Sequence, residues 1–494
     1  MNSEKKGRDQ RGSRSTTRGG DPGPAPFGRM STADVYAVVF GAFLGLALLK
    51  FGNPAVLDES LSAPANLREA WQYAWPVHWA FWLLIPLALA GGVMASRSEW
   101  HWRAPVWLWT LPLLWMVWQC AASAATVDFK LTVQALCTFA GCLLGYFSGA
   151  ILFSSRAARR WLLLGVIAAF AWCLVRAGNQ KLVEFPNERQ MLKEGSSTGW
   201  TNATPEFLLE LKHDHVVITT NGVDVVNPVI MAKYEKGRVM GTLVYPNALA
   251  GAILLLWPVC IVLAFDGTRR FRRLSRTVVI GTTLFLGGAS LIWTGSKFGW
   301  LIAVAMAGVA ILRRPGSKRF KYGLTAAVMV LGALVFIWRF HGYLAAGATS
   351  AGARFDYWRA AIVTARDHPW LGTGPGTFQR PYERLKAPSS EMARLAHNDY
   401  LEQFCDSGIP GGLSYLVWIG AALVFVGRRG WNSEALLDFG IFLGLMGWYL
   451  QGLGEFGLYV PALAWTAFTL LGCMVGLNGQ RKVSFKIDNP GVHG

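Results

Sequence analysis

The chain has 494 residues, with 47 Lys and Arg against 29 Asp and Glu, and a formal charge of +18. Only 15% of its residues are charged, 53% are hydrophobic and 23 are tryptophan. A water-soluble surface needs more charge than this. The balance excludes an ordinary soluble enzyme, a disordered chain, collagen and a small disulfide scaffold, and it points to a membrane protein oriented by its positive charges. Nucleic-acid binding would need Lys and Arg on one face of a soluble domain, for which the composition leaves no room. Six of the seven cysteines lie in apolar runs and none forms a CxxC pair, so they read as small buried hydrophobes.

In chain order, residues 1–33 are rich in Gly, Ser, Arg and Pro and lack an apolar core, which predicts a disordered basic tail and not a cleavable signal. Its Lys5, Lys6, Arg8 and Arg11 suit either solvent or an anionic lipid surface. A membrane-spanning helix needs about 20 apolar residues. Twelve charge-free runs approach that length: Val35–Leu49, Pro76–Ser96, Ala104–Ala125, Leu131–Phe153, Trp161–Val175, Ala248–Phe265, Thr277–Ser296, Phe298–Leu312, Gly323–Trp338, Gly411–Gly427, Phe439–Leu453 and Leu458–Leu477. The links after every even-numbered run up to the tenth are basic, with Arg97 and Arg103, Arg156, Arg159 and Arg160, the cluster Arg269–Arg276, the cluster Arg313–Lys321, and Arg428 and Arg429. The alternate links carry Asp58, Glu59, Asp128 and Glu455. Positive charge is retained on the cytoplasmic side, so this alternation predicts an all-α polytopic membrane protein of about twelve transmembrane helices with both termini inside.

Two outer connections are much longer than the rest. The first contains β-branched residues alternating around Asn221-Gly222, which predicts a hairpin within a small folded insertion. The second predicts an amphipathic helix over Ala353–Ala365, a glycine-rich break at Gly372–Phe378, and a second helix capped by Ser389 or Ser390 and running to about Asp406. Its length argues for function. The expected organisation is a cytoplasmic tail (1–33), five transmembrane helices (34–176), an outer insertion (177–247), four helices (248–339), a large outer loop (340–410), three helices (411–478) and a cytoplasmic tail (479–494).

Polar exceptions near the membrane carry the chemical information. Lys297 lies in the tight outer turn Thr294-Gly-Ser-Lys-Phe-Gly, where positive charge is otherwise disfavoured. Arg238 precedes a helix start broken by Gly241 and Pro246-Asn247, where exposed backbone N–H groups and a guanidinium suit a phosphate. Arg354 and Trp358, four apart, share a helix face. His397-Asn398-Asp399-Tyr400 offers an imidazole that can take a proton from a sugar hydroxyl. His213, His215, His341 and His368 sit in less constrained settings. Gly452-x-Gly454-x-x-Gly457 lacks the strand–helix context of a nucleotide site, and no Walker motif occurs. No acidic cluster predicts a bound metal. An activated sugar donor on the outer side would therefore be lipid-borne, its phosphates held by cationic side chains.

Taken in order, Arg238-Val-Met-Gly-Thr…Pro246-Asn247, Ser296-Lys297-Phe-Gly-Trp300, Arg354-x3-Trp358, Gly372-x-Gly374-x-Gly376 and His397-Asn398-Asp-Tyr400-Leu401…Gly408…Gly411 resemble the O-antigen ligase/polymerase superfamily over residues 237–415. The resemblance implies an inner-membrane glycosyltransferase that works without a metal or other cofactor. It would move glycan from undecaprenyl diphosphate to an acceptor hydroxyl in the periplasm. The acceptor would be lipid A–core in a ligase, a lipid-linked repeat in a polymerase, or a protein. By position it assigns diphosphate binding to Arg238 and Arg354 and acceptor activation to His397, with Asn247, Trp358, Asn398 and Tyr400 in support. Lys297, expected as a third diphosphate-binding cation, stands where family members often have arginine, and Asp406 at the family's acidic position. A transporter of lipid-linked sugars is the competing reading. It would place charge along a central cavity and show paired repeats, neither of which is evident here.

Overall fold

The computed structural model describes residues 30–97, 104–220, 222–345, 349–388 and 390–476. Most of both expected tails, together with Arg103, Asn221 and Ser389, lie outside the described residues. The helices are α1 (Thr32–Lys50), α2 (Leu67–Gln72), α3 (Val77–Arg97), α4 (Trp107–Ala122), α5 (Phe129–Ile151), α6 (Arg156–Asn179), α7 (Phe185–Thr198) and α8 (Pro205–His213). After the strands β1 (Val217–Thr220) and β2 (Val223–Val226) come α9 (Pro228–Lys236), α10 (Pro246–Gly267), α11 (Arg273–Thr294), α12 (Lys297–Arg313), α13 (Lys318–Ala345), α14 (Thr349–Asp367), α15 (Gln379–Leu385), α16 (Asp399–Asn432), α17 (Leu436–Gln451) and α18 (Pro461–Gly476).

Among the described residues, nine helices are long and apolar enough to cross a membrane, which makes the chain a multi-pass membrane protein. Three of the twelve expected runs fold as the shorter α12, α17 and α18, of 17, 16 and 16 residues. The bundle is built around α18, which is apolar on every side and buried from Pro461 to Val475. It packs along α5, and a Cβ on Gly472 would lie 2.0 Å from the Tyr146 carbonyl. The α1–α6 pair approaches almost as closely at Gly41, whose Cβ would lie 2.3 Å from the Leu162 carbonyl. Small residues permit this because helices in lipid associate by close packing and not by hydrophobic exclusion from water. By contrast, α13 buries none of its apolar window and lies at the edge of the bundle. Four cysteines (Cys142, Cys173, Cys405 and Cys473) are buried as expected, whereas Cys120 is exposed.

The two long connections fold on the same end of the bundle as the turns at Arg238 and Lys297. The chain does not break at Arg176: α6 runs through a π-helical turn at Gln180–Glu184 into α7. The insertion then closes on its own core of Leu192, Trp200, Leu211, Val217 and Val226. The expected hairpin forms, with Val217 opposite Val226 and Thr220 opposite Val223. In the second connection α14 covers the expected helix, and α15 follows the glycine-rich break. The expected helix capped by Ser389 or Ser390 is corrected. No helix starts at Ser390, whose Oγ donates to Asp356 at 3.2 Å, and residues 391–398 run without helix. The helix begins at Asp399, capped by Asn398, whose Oδ1 accepts the N–H groups of Tyr400 and Leu401. The irregular stretch lets Glu391 meet the Tyr357 hydroxyl and lets the Ala396 N–H reach Glu402, contacts that a helix from residue 390 would forgo.

Candidate functional site

Five helix ends, the helix α14 and the loop between α17 and α18 meet at this end of the bundle. Gly237, in the left-handed region at φ 52°, ends α9 and turns the chain into Arg238. Arg238 Nε donates to the carbonyl of Thr294, the last residue of α11, at 2.6 Å. Its Nη2 donates to Asn247 Oδ1, in the first turn of α10, at 2.8 Å. Gln180 anchors the following stretch by accepting the N–H groups of Met240 and Gly241 at 3.1 and 2.8 Å. The turn Thr294–Ser296 lies against this arginine, and Ser296 caps α12 by accepting the Gly299 N–H. Lys297 heads that helix, with its ammonium 3.9 Å from the centre of the Tyr343 ring and 5.4 Å from that of Phe340.

On the facing side, α14 presents Arg354 and Trp358. Arg354 Nε donates to the Gly454 carbonyl at 3.1 Å. The Trp358 indole N–H points to the His397 carbonyl at 3.4 Å. His397 precedes α16 with φ 52°, a left-handed conformation that a non-glycine residue holds only when its surroundings impose it. Those surroundings are the Tyr357 ring stacked on the imidazole at 5.7 Å, the edge of Phe456 at 4.7 Å, and the Asn398 cap on the next residue. Asn398 Nδ2 also donates to the Leu453 carbonyl and the Asp399 N–H donates to the Gly452 carbonyl, which fastens the start of α16 to the loop between α17 and α18.

That loop supplies Glu455, on which the site converges. The Glu455 side chain is only 4% exposed. Oε1 accepts from Arg354 Nη2, in an ion pair, and from Asn247 Nδ2 at 2.7 Å. Oε2 accepts from the Tyr245 hydroxyl at 3.3 Å and faces His397 Nδ1 at 3.3 Å. Arg238 joins at one remove through Asn247. A carboxylate beside Nδ1 holds the ring proton there and leaves Nε2 as the basic nitrogen.

Charge is uneven around this carboxylate. Arg238, Lys297 and Arg354 bring three cations close to one another beside Glu455. Lys297 lies one residue ahead of the apolar run Phe298–Leu312. Burial, then the nearby guanidinium groups of Arg238 and Arg354, push its ammonium down to about 8. Burial also works against the charge on Arg238, and Glu455 works for it. Crowded cations with this much desolvation are poised for an anion.

The structure thus brings Arg238, Asn247, Arg354 and His397 into one hydrogen-bonded group, with Lys297 beside it. Trp358 and Asn398 hold the backbone around His397. Tyr400 instead donates its hydroxyl to the Tyr449 carbonyl at 3.0 Å and braces α16 from below. His213, His341 and His368 are not part of the group: His213 pairs with Asp214, and His341 with the Trp338 carbonyl. Glu455 was visible in the sequence only as an acid in a failed nucleotide motif and as an outer-loop charge. The available signal was an acid among glycines and aromatics between two short apolar runs.

Residues 282–416 match the family described as O-antigen ligase. The matched segment carries Lys297, Arg354, Trp358, His397, Asn398 and Tyr400, while Arg238, Asn247 and Glu455 lie outside it. No curated protein matches the chain.

Proposed function

From membership of the O-antigen ligase superfamily, carried by residues 282–416, we propose that the chain is an inner-membrane glycosyltransferase. It moves glycan from undecaprenyl diphosphate to an acceptor hydroxyl, with lipid A–core as the acceptor. In this reading α12, α17 and α18 also cross the membrane, both termini are cytoplasmic, and the Glu455 group faces the periplasm. The observation that carries the reading is the convergence of Arg354, Asn247 and His397 on Glu455, with Arg238 and Lys297 alongside.

The acceptor oxygen attacks the anomeric carbon, forming the new glycosidic bond as the bond from that carbon to the phosphate oxygen breaks. The acceptor proton passes to His397 Nε2, and Glu455 stabilises the imidazolium through Nδ1–H. Undecaprenyl diphosphate leaves with the bonding electrons. Its growing charge falls on Arg238, Lys297 and Arg354, which stand where other glycosyltransferases use a divalent metal. Attack opposite the leaving group inverts the anomeric configuration.

Deleting the gene in its native host and analysing surface polysaccharide tests the reading. Loss of polymer from lipid A–core, with long polymer left on undecaprenyl diphosphate, is the expected result. A single repeat on the core would instead indicate a polymerase, and unchanged surface glycans would remove both.

A further inference from the structure

Glu402 and Asp406 lie four residues apart on the first part of α16, before its break at Gly408, and both are 0% exposed. Side chains at this spacing are neighbours on one helix face. Each carboxyl has one oxygen in use. Glu402 Oε2 accepts the Ala396 N–H at 3.0 Å. Asp406 Oδ2 accepts the Gly376 N–H at 2.7 Å and the Tyr459 hydroxyl at 3.0 Å. Gln403 Nε2 donates to that same Tyr459 oxygen at 2.8 Å, so the tyrosine proton is committed to Asp406. The other two oxygens, Glu402 Oε1 and Asp406 Oδ1, are buried without a hydrogen-bond partner among the described residues.

Among the described residues, the titratable groups around the pair are Asp399, Cys405 and Tyr459, and neither carboxyl bonds a Lys, Arg or His. Two buried carboxyl groups four residues apart on one helix face disfavour each other's ionisation, and two orphaned acceptor oxygens are each costly. One proton placed between them removes both penalties.

We propose that Glu402 and Asp406 share a single proton between Oε1 and Oδ1, and that the bridged pair positions His397. Through Glu402 it holds Ala396, the residue before the strained His397. Through Asp406 it holds the glycine-rich turn and the residue 459 end of the loop that carries Glu455. The shared proton is independent of what the protein transfers, and only the positioning role rests on the reading of His397 given above.

The test is the infrared carbonyl absorption of protonated carboxyl groups in the purified full-length protein at neutral pH. Spectra of Glu402→Gln, Asp406→Asn and the double variant are each subtracted from the wild-type spectrum. In either single variant the new amide N–H donates to the remaining carboxylate, which then stays ionised. A shared proton therefore predicts the same loss of absorption, one carboxyl group's worth, in all three. A double-variant loss that is the sum of two single losses would mean two separate acids, and no loss would mean two carboxylates; either result overturns the proposal. For positioning, Glu402→Gln can keep the bridge through its amide and is expected to retain kcat. Glu402→Ala breaks the bridge and is expected to lower kcat with KM little changed. An unchanged kcat in Glu402→Ala would overturn the positioning role. Transfer by His397→Ala would overturn the functional reading while leaving the infrared result standing.

Discussion

Glu455 faces His397 Nδ1 at 3.3 Å and is ion-paired with Arg354, so one buried carboxylate both orients the imidazole and anchors a cation of the site. A carboxylate in this position fixes the ring's tautomer, and exchanging it for an amide removes the charge that stabilises the imidazolium. Glu455→Gln is expected to lower kcat by roughly 10²–10⁴-fold, measured as glycan transferred per unit of membrane-inserted protein. Wild-type kcat in this variant would remove Glu455 from the mechanism.

Arg238 and Arg354 should act on the leaving group. Arg238→Ala and Arg354→Ala are each expected to reduce transfer by about 10²-fold or more, the scale seen when a donor to developing charge is removed. Arg354→Lys keeps the charge but loses the planar fork that bonds Gly454 and Glu455 together, so it should rescue only in part. Full activity in Arg354→Lys would show that charge alone suffices there.

Lys297 gives the site a pH limit. Burial and the Arg238 and Arg354 guanidinium groups push its ammonium, at the outer start of α12, down to about 8, so its charge weakens as pH rises through that value. If the charge is needed, kcat/KM, which reports the free enzyme, falls as pH rises through about 8. Lys297→Arg should remove that limb, and Lys297→Met should be low throughout. The same alkaline limb in Lys297→Arg would assign it to another group.

Gly408 is a structural requirement. It breaks α16 at φ 68°, ψ −177°, and a Cβ there would lie 2.2 Å from the Trp370 carbonyl. Gly408→Ala is therefore expected to destabilise the protein by roughly 2–4 kcal/mol or to prevent its insertion. A thermal melt in detergent checks this, and an unchanged midpoint would contradict the close approach.

Much of this architecture is legible in residue order because lipid imposes simple rules. Apolar runs announce helices, and Val223–Val226 beyond Asn-Gly announces a hairpin. The gathering of Arg238, Arg354 and His397 was expected from the resemblance of their motifs, taken in order, to one superfamily, and the three do meet through Asn247 and Glu455. Two features were not. The start of α16 follows tertiary demand: Ser389 and Ser390 are good caps, but Asn398 is the one whose neighbours fasten to Gly452 and Leu453. Glu455 lies 58 residues beyond His397, and only the folding of the loop between α17 and α18 back over α10 and α14 brings them together. The carboxyl pair was half visible: Asp406 drew attention by position, while its partner Glu402 emerged from burial and hydrogen bonding.

The most direct measurement is product formation by the purified protein from an undecaprenyl-diphosphate-linked glycan and lipid A–core of the native host, with His397→Ala compared at equal folded protein. The account predicts glycan on the core with the wild type and none with His397→Ala. Equal product from the two proteins would contradict it.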